Sequence, residues 1–330
     1  MTLKEVQNNF LQKFNDFFSR EVDEIFKHHK LAREMIHYHY NTGGKRLRPL
    51  VSIYVAKQLN ESLSMDFIFP FAAAVEMIHN ATLIHDDIQD GDEVRRSQPT
   101  LWKKYSIAQG INVGDLLFLA ASRAIERGNY KTEMKNKLLE FLHTYSLQVV
   151  EGQVGEFELK GNLARNYPTV AEYIHVAEGK TAALFQLAAI GGALIAGANE
   201  DELNSIDYAT HALGIAFQIQ DDLIDLWGNK GRGEVGCDIA EGKISFPLAL
   251  TFEQLNLATK DKEQLRAIIL KSREQTSAND VRQAIKIFEL VGAKEKSLEF
   301  FRKLESDCFS EHKEIFFELM EEIAVKVREL

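Results

Sequence analysis

The chain is poor in the residues that mark disulfide-bonded, linker-rich or membrane-spanning proteins. It has only two cysteines and five prolines in 330 residues. Cys237 and Cys308 lack the spacing of a metal site and form no disulfide framework, which is typical of a reducing compartment. No apolar run reaches the roughly 18 residues of a membrane span, and the segment MTLKEVQNNFLQKFNDFF lacks the apolar centre of a signal peptide. We therefore expect a soluble, cytoplasmic protein with no membrane span.

Positive charge is also scarce. Lysine and arginine number 39 against 49 aspartates and glutamates, which gives a formal net charge of −10. This balance argues against nucleic acid or an anionic membrane surface as a partner. An anionic substrate would have to be bound by local clusters of basic residues.

The alternation of apolar and polar residues that indicates strands is nowhere sustained, whereas apolar residues recur every three to four positions along most of the chain. The sequence predicts an all-α fold in a single domain, residues 1–330. We expect Pro70 to open the helix that reaches residue 90, because proline is well tolerated in a first turn. Further helices are expected over 169–198, 295–306 and 308–328.

Three aspartates stand in the largely apolar segment ATLIHDDIQDGDEVRR, residues 81–96. Asp86 and Asp90 are four positions apart, so on a helix their side chains lie on one face, with Asp87 beside them. Unpaired carboxylates in apolar surroundings carry a large desolvation cost. A hard divalent cation bound through oxygen atoms would neutralise them.

The same D-D-x-x-D pattern recurs at Asp221, Asp222 and Asp225, in the segment FQIQDDLIDLW. Two such runs on facing helices would place carboxylates around several Mg²⁺ ions. Mg²⁺ binds few carboxylates and completes its coordination with water and substrate phosphates. The two runs therefore indicate a phosphate or diphosphate substrate.

Two clusters of basic residues could bind the phosphate groups of such a substrate. The loop NTGGKRLRP offers Lys45, Arg46 and Arg48 beside two glycines, which let the backbone approach a ligand. Arg95 and Arg96 follow the first aspartate run by five and six positions. Arginine forks match phosphate oxygens and lysine adds a point charge. Weaker candidates for the same anion are Lys180, Thr181 and Lys243.

Together the segments GGKRLRP, EMIHNATLIHDDIQDGDEVRR, GKT, FQIQDDLIDLWG and GCDIAEGKISFP resemble the trans-isoprenyl diphosphate synthases, or polyprenyl synthetases. The resemblance covers residues 40–250 in the family's order and spacing. It implies an all-α helical bundle, usually a homodimer, with a central cavity between two Asp-rich helices. It also implies a Mg²⁺-dependent, head-to-tail condensation of isopentenyl diphosphate with an allylic diphosphate, with three Mg²⁺ per active site when substrate is bound.

The resemblance assigns a role to each matching residue. Asp86, Asp90, Asp221 and Lys180 would be catalytic, and the metal ligands would be Asp86, Asp87, Asp90, Asp221 and Asp225. Isopentenyl diphosphate would be bound by Lys45, Arg48, His79 and Arg96. The allylic diphosphate would be bound by Arg95, Lys180, Thr181, Gln218 and Lys243. We also weigh a substrate contact for Gln153 and Glu156.

Two departures from the family pattern concern the glycine-rich segment 228–242, which we interpret as a lid over the site. Many members have a lysine where this chain has Gly233, and Lys230 or Arg232 would have to replace it. The common K-x-T-x-P segment reads Lys243-Ile244-Ser245-Phe246-Pro247 here, and Ser245 keeps the hydroxyl group.

Product length depends, in this family, on the residues just before the first aspartate run. Ala81 and Thr82 are small where an aromatic residue would stop growth at fifteen carbons, and Ile78 stands one turn deeper. These three residues are the predicted floor of the cavity. They favour a C20 product, geranylgeranyl diphosphate, over longer chains or C15.

Three other classes of protein compete with this interpretation. A class I terpene cyclase shares the first aspartate run but has a different second metal motif. A catalytically silent partner subunit would typically have lost aspartates that are present here. A di-iron helical protein needs Glu-x-x-His pairs, and four occur, at Glu34/His37, Glu76/His79, Glu140/His143 and Glu172/His175. Four such pairs in a helical, Glu-rich chain show that the motif is weak, and it leaves both aspartate runs unexplained.

Overall fold

The computed structural model describes residues 1–228, 235–328 and Leu330, and only the backbone of residues 309–314, 317, 323 and 325. The described residues form fifteen α-helices: α1 (Leu3–Ile25), α2 (Lys30–Asn41), α3 (Leu47–Leu59), α4 (Met65–Gln89), α5 (Leu101–Lys104), α6 (Ile107–Arg127), α7 (Thr132–Asn162), α8 (Val170–Ala177), α9 (Ala183–Ala196), α10 (Glu200–Trp227), α11 (Cys237–Ala240), α12 (Phe246–Glu253), α13 (Thr259–Ile269), α14 (Ala278–Leu290) and α15 (Ala293–Arg328). A π-helical turn, Glu178–Ala182, joins α8 to α9. The strands β1 (Val94–Arg95) and β2 (Gln98–Pro99) form a short antiparallel hairpin. The prediction of an all-α fold is confirmed.

The chain divides into two compact units. The first unit comprises Met1–Ser146 and Leu184–Asp207, and the second comprises Leu147–Ala183 and Tyr208–Leu330. We describe each unit by itself. The single-domain prediction is not tested by this division and stays a prediction.

The first unit is built on α4, which is buried along most of its length. Phe14 of α1 meets Phe69 of α4 edge to face, with ring centroids 5.9 Å apart. Gly191 of α9 leaves the space that the Phe71 ring occupies, because a β-carbon there would overlap the ring. This close packing fixes the helix that carries the first aspartate run.

The second unit has its own core, formed mainly by side chains from α10 to α14. Phe252 of α12 stacks on the ring of Tyr167, with centroids 4.7 Å apart. Buried members of this core include Leu226, Ile239, Leu248, Leu265, Ile268 and Phe288. The second aspartate run lies on α10, whose end contributes to this core.

Three predicted helix boundaries are wrong. Helix α4 begins at Met65, because Ser64 caps its N-terminus by accepting a hydrogen bond from the Asp66 backbone N–H, and Pro70 lies inside the helix. The helix predicted over 169–198 is interrupted by the π-helical turn. The two helices predicted at the C-terminus are one, α15.

Two helical segments, Met65–Gln89 and Val170–Ala196, are long and apolar enough to cross a membrane by length and composition. In each, 78% of the most apolar window is buried inside the fold. Buried core helices of soluble proteins pass the same test, so this finding is weak support for a membrane span.

Candidate active site

The first aspartate run ends α4. Asp86 and Asp90 are half-buried, and Asp90 is the C-cap residue of the helix. Their spacing of four residues places both carboxylates on one face, as predicted. Asp87 points into the protein and is only 1% exposed. The run therefore offers two accessible carboxylates and one enclosed carboxylate.

Asp87 holds the neighbouring hairpin in place. Its Oδ1 accepts a hydrogen bond from Arg95 Nε at 2.7 Å, and its backbone oxygen accepts one from Trp102 Nε1 at 2.9 Å. Asp87 Oδ2 is buried and has no hydrogen-bond partner among the described residues. Burial raises the pKa of Asp87 to about 6, although Arg95 acts in the opposite direction. One oxygen of Asp87 is thus engaged by Arg95, and the other accepts no hydrogen bond from the described residues.

The two consecutive arginines after this run point in different directions because of the hairpin between them. Arg95 pairs with Gln98 across the hairpin, so Arg96 and Ser97 form a two-residue turn. Both turn residues have positive φ, +51° and +64°, as a type I′ turn requires. The Arg96 guanidinium consequently reaches back to the backbone oxygen of Gly43, in the basic loop.

The structure brings together three of the four residues predicted to bind isopentenyl diphosphate, namely Arg48, His79 and Arg96. Arg48 Nη1 lies 3.3 Å from His79 Nε2, and because arginine can only donate, this imidazole nitrogen must be the acceptor. Burial, followed by Arg48 and Arg96, lowers the pKa of His79 well below its usual value. Lys45 is exposed on the loop just before α3. His79 is therefore a neutral group within a cluster of permanent cations.

A second buried histidine, His39, makes the stability of the first unit sensitive to acid. Burial, and then Arg95, Arg96 and Arg46, lower its pKa from 6.5 to about 3. The folded state thus excludes a proton that the unfolded chain binds. The contribution of His39 to the free energy of unfolding is therefore fully present above pH 6.5 and is lost as the pH falls from 6.5 towards 3. At pH 5 the loss due to His39 amounts to about 2 kcal/mol.

We expect the variant His39→Gln to lose less stability than the unmodified protein on going from pH 7 to pH 5, by about 2 kcal/mol. Urea unfolding curves at both pH values measure this difference. The matched variant His143→Gln, at an exposed histidine, should leave the pH dependence unchanged. Equal pH dependence in all three proteins would contradict this account of His39.

The second aspartate run, on α10, has a different environment. Asp221 is exposed, whereas Asp222 and Asp225 are buried. Asp222 accepts hydrogen bonds from Tyr173 Oη and the Phe246 backbone N–H, both at 2.7 Å. Asp225 Oδ2 accepts one from the Asp238 backbone N–H at 3.0 Å. Asp221 is therefore the most exposed carboxylate of this run.

Lys180 and Thr181 lie in the π-helical turn, and glycines hold this turn tightly. Gly152 of α7 approaches the Lys180 backbone so closely that a β-carbon would overlap it, and Gly214 of α10 does the same at Ala182. Lys180 Nζ donates to Glu156 Oε2 at 2.5 Å. π-helical turns occur frequently at functional sites.

A chain of hydrogen bonds joins this turn to the second aspartate run. Thr181 Oγ1 donates to Gln218 Oε1 at 2.6 Å, and Gln218 Nε2 donates to Asp222 Oδ1 at 3.0 Å. Lys180, Thr181 and Gln218, all predicted to bind the allylic diphosphate, are thus one connected group. The predicted substrate contact of Glu156 stays a prediction, and here its carboxylate pairs with Lys180.

Lys243 forms an ion pair with Glu241, 2.9 Å apart, and Arg273 also lies 3.4 Å from this carboxylate. In the predicted contact with the allylic diphosphate, Lys243 would exchange Glu241 for a phosphate group. Lys230 and Arg232, the candidates to replace the lysine that is missing at Gly233, lie outside the described residues, as does Gly233 itself.

The predicted floor residues lie on the α4 segment before the aspartates. Ala81 and Ile78 are buried, at 0% and 1% exposure, and Thr82 is half-buried. Thr82 Oγ1 donates to the His79 backbone oxygen at 2.8 Å. The predicted cavity between the two Asp-rich helices involves residues of both units and stays a prediction.

The donor atoms fit a hard divalent cation. Both aspartate runs offer carboxylate oxygens, and Asp87 Oδ2 is a buried oxygen to which no described residue donates a hydrogen bond. Among the residues that the structure describes, no three acidic, histidine or cysteine side chains are close enough to hold a metal ion by themselves. A divalent cation bound here would take part of its coordination from water and substrate phosphate.

Comparison with known proteins places this fold and these motifs in a family. The polyprenyl synthetase family matches residues 29–288. The short chain isoprenyl diphosphate synthase of Methanocaldococcus jannaschii is 33% identical over 284 residues, which cover 85% of this chain and 82% of that protein. The farnesyl diphosphate synthase of Geobacillus stearothermophilus is 30% identical over 260 residues, which cover 76% and 85%.

Solved structures show the same fold. Geranylgeranyl pyrophosphate synthetase from Pyrococcus horikoshii superposes with a TM-score of 0.85 at 29% identity, covering 98% of both chains. Polyprenyl synthase from Caulobacter crescentus, complexed with calcium and isoprenyl diphosphate, superposes with a TM-score of 0.82 at 27% identity, covering 98% of this chain and 96% of that one.

The chain belongs to the polyprenyl synthetase family. It is therefore a prenyltransferase of the isoprenyl diphosphate synthase class. The family and the fold class implied by the sequence motifs are confirmed.

Sequence reasoning did not foresee that several residues position the predicted ligands. Glu76 and Trp102 are examples in the first unit, and Tyr173 and Asp222 in the second. Asp222 could have been singled out as the second aspartate of its run. Nothing in the local sequence marks Tyr173 as its partner, because 49 positions separate the two residues.

Proposed function

We propose that the enzyme condenses isopentenyl diphosphate head to tail with an allylic diphosphate, in the presence of Mg²⁺, to give geranylgeranyl diphosphate. The observation that carries this proposal is the cluster in the first unit. Arg48, His79 and Arg96 lie together beside the aspartate run of α4. Cations gathered next to carboxylates are what a diphosphate and its metal ions require.

The reaction is an ionisation, a condensation and an elimination. The carbon–oxygen bond of the allylic diphosphate breaks, and the leaving diphosphate takes the electron pair. The double bond of isopentenyl diphosphate then attacks the allylic cation, and loss of a proton to the released diphosphate restores a double bond. The products are the chain lengthened by five carbons and hydrogen diphosphate, so no covalent enzyme intermediate is required.

Mg²⁺ would supply electrostatic stabilisation of the leaving diphosphate. In the first unit Asp86 and Asp90 would bind it, assisted by Asp87 through Oδ2, and in the second unit Asp221 would do so, assisted by Asp225. We expect three Mg²⁺ per active site with substrate bound. The diphosphate of the allylic substrate would also contact Arg95, Lys180, Thr181, Gln218 and Lys243, whose cations and hydrogen-bond donors stabilise developing negative charge.

Isopentenyl diphosphate would be bound by the cluster around His79. Lys45, Arg48 and Arg96 supply three positive charges for a diphosphate. His79, kept neutral by burial and by these cations, would contribute a hydrogen bond without adding charge.

A C20 product is favoured because Ala81 and Thr82 are small, and Ile78 would form the floor one turn deeper. C15 and chains longer than C20 are the alternatives for product length.

We further infer a cytoplasmic homodimer. Helix α6 exposes Ile107, Ile111 and Leu119, at 53%, 46% and 72%, and these residues share one side of the helix. These apolar side chains, with the exposed carboxylate of Asp115 between Ile111 and Leu119, form a mixed surface that fits a contact with a second copy of the chain.

The deciding experiment incubates the purified protein with isopentenyl diphosphate, Mg²⁺ and, separately, C5, C10 and C15 allylic diphosphates. We expect a linear C20 product from each primer, identified by chromatography of the dephosphorylated alcohols. Omission of Mg²⁺ with added chelator is the matched control and should abolish the product.

Other outcomes lead to different conclusions. A longer or shorter linear product would retain the reaction and refute the assignment of Ile78 as the floor. A cyclic hydrocarbon would favour a terpene cyclase. No product in a folded protein that binds Mg²⁺, with activity restored by a second subunit, would favour the silent-subunit alternative.

A further inference from the structure

The loop that carries Lys45 has a backbone conformation that it cannot hold by itself. Three of its residues have positive φ: Gly43 at +103°, Gly44 at +129° and Arg46 at +53°. The left-handed region suits glycine, but for a side chain such as that of Arg46 it costs on the order of 1–3 kcal/mol. Arg46 is also the N-cap of α3 and forms no capping hydrogen bond with its side chain. Other contacts must therefore stabilise this turn.

The Arg46 side chain supplies these contacts. Its Nη2 donates to the Tyr40 backbone oxygen at 2.5 Å, and its Nη1 donates to the Gly43 backbone oxygen at 3.0 Å. The guanidinium also lies over the Tyr40 ring, 3.7 Å from its centroid, and the ring in turn stacks on Phe18 at 4.1 Å. A single side chain thus closes the loop onto the C-terminal end of α2.

The same guanidinium ties the loop to α4. Arg46 Nη1 lies 3.3 Å from Glu76 Oε1, and the two side chains are 7% and 1% exposed. Asn80 Nδ2 donates to the same Glu76 oxygen at 2.9 Å. Glu76 stands three residues before His79 on this helix. The loop is therefore held at a fixed position relative to His79 and to the first aspartate run.

A direct role of Arg46 in diphosphate binding does not fit this geometry. Both of its Nη atoms are engaged by protein oxygens, and the side chain is almost fully buried. Lys45, the neighbouring residue, is exposed. In this loop Lys45 thus faces outward, whereas Arg46 stabilises the backbone.

We propose that Arg46 is a positioning residue, which sets the left-handed turn of the basic loop and so places Lys45 for isopentenyl diphosphate. The inference rests on the proposed function, because it uses the assignment of Lys45 to that substrate. Lysine could keep the charge of Arg46 but not its planar fork, which here contacts three oxygens and one ring.

Steady-state kinetics of Arg46→Lys tests the proposal. We expect the KM for isopentenyl diphosphate to rise at least tenfold, while the KM for the allylic diphosphate stays within twofold and kcat at saturating substrate within threefold.

Arg127→Lys is the matched control. Arg127 also pairs with a largely buried glutamate of the first unit, Glu21, at 2.6 Å, but lies on α6 and far along the chain from the basic loop. It should lower the melting temperature without changing either KM.

Two results would overturn the inference. One is an unchanged KM for isopentenyl diphosphate in Arg46→Lys. The other is a parallel change of both KM values and kcat together with a lower melting temperature, which is the behaviour of a purely structural residue. If Arg46→Lys does not fold, Glu76→Gln decides, because it removes the charge of the partner and keeps its shape. A selective rise in the KM for isopentenyl diphosphate supports the inference, and an unchanged KM refutes it.

Lys45→Gln, measured in parallel, separates this inference from the proposed function. A raised KM for isopentenyl diphosphate in Lys45→Gln but not in Arg46→Lys refutes only the positioning role. An unchanged KM in Lys45→Gln refutes the assignment of Lys45, and the positioning role with it. Absence of any prenyl transfer by the unmodified protein refutes the proposed function itself.

Discussion

Asp86→Asn is expected to lower kcat about 1000-fold, equivalent to about 4 kcal/mol of transition-state stabilisation. Asparagine keeps the shape of the side chain but removes the negative charge that a hard cation needs. Because Asp86 is half-buried near the end of α4, the fold should persist. Turnover at saturating Mg²⁺ and both substrates, together with the melting temperature, measures the effect.

The control for this variant lies on the same helix. Asp66→Asn replaces an exposed aspartate in the first turn of α4, and it should leave turnover unchanged. Full activity of Asp86→Asn would remove the first aspartate run from the mechanism. An inactive Asp86→Asn with a melting temperature far below that of Asp66→Asn would indicate a structural role instead.

Ala81→Phe is expected to change the product from C20 to C15. Ala81 precedes Asp86 by five residues on α4 and is fully buried, so a phenyl group there would occupy space that the growing chain needs. The product distribution with a C10 primer is the measurement. We expect C15 to become the main product, with little change in the rate of the first condensation.

A fully buried alanine can also face ordinary core, where a phenyl group would cost about 1–3 kcal/mol of stability. Ala73→Phe separates the two cases, because Ala73 is equally buried on α4 and lies about 140° around the helix from Ile78. We expect Ala73→Phe to lower stability without shortening the product. A destabilised Ala81→Phe that still makes C20 would show that the floor lies elsewhere.

The local sequence predicted the helices and both aspartate runs, because apolar spacing and i, i+4 geometry are local properties. It misplaced the start of α4, because the tolerance of proline in a first turn led us to expect that Pro70 opens this helix. Ser64 followed by Asp66 was the better signal, since an N-cap residue and an early acidic residue both favour a helix start.

The parts of the site that could not be predicted depend on how the chain folds around them, whether the residues in contact are near or distant in sequence. The pairing of Asp87 with Arg95 requires a hairpin turn in which two non-glycine residues have positive φ. The anchoring of Arg46 depends on Glu76, 30 positions away. A basic loop looks the same in sequence whether its arginine faces solvent or a buried carboxylate.

The glycines around the π-helical turn also affect how a mutational scan of this enzyme would be interpreted. Gly152, Gly179 and Gly214 permit backbone approaches that no β-carbon allows. A library scored only on product formation would rank all three positions as intolerant, as it would Lys180. None of the three has a side chain that could touch a substrate. A second score for the amount of folded protein would separate them from the residues that bind diphosphate, and redesign of the site should leave these three positions fixed.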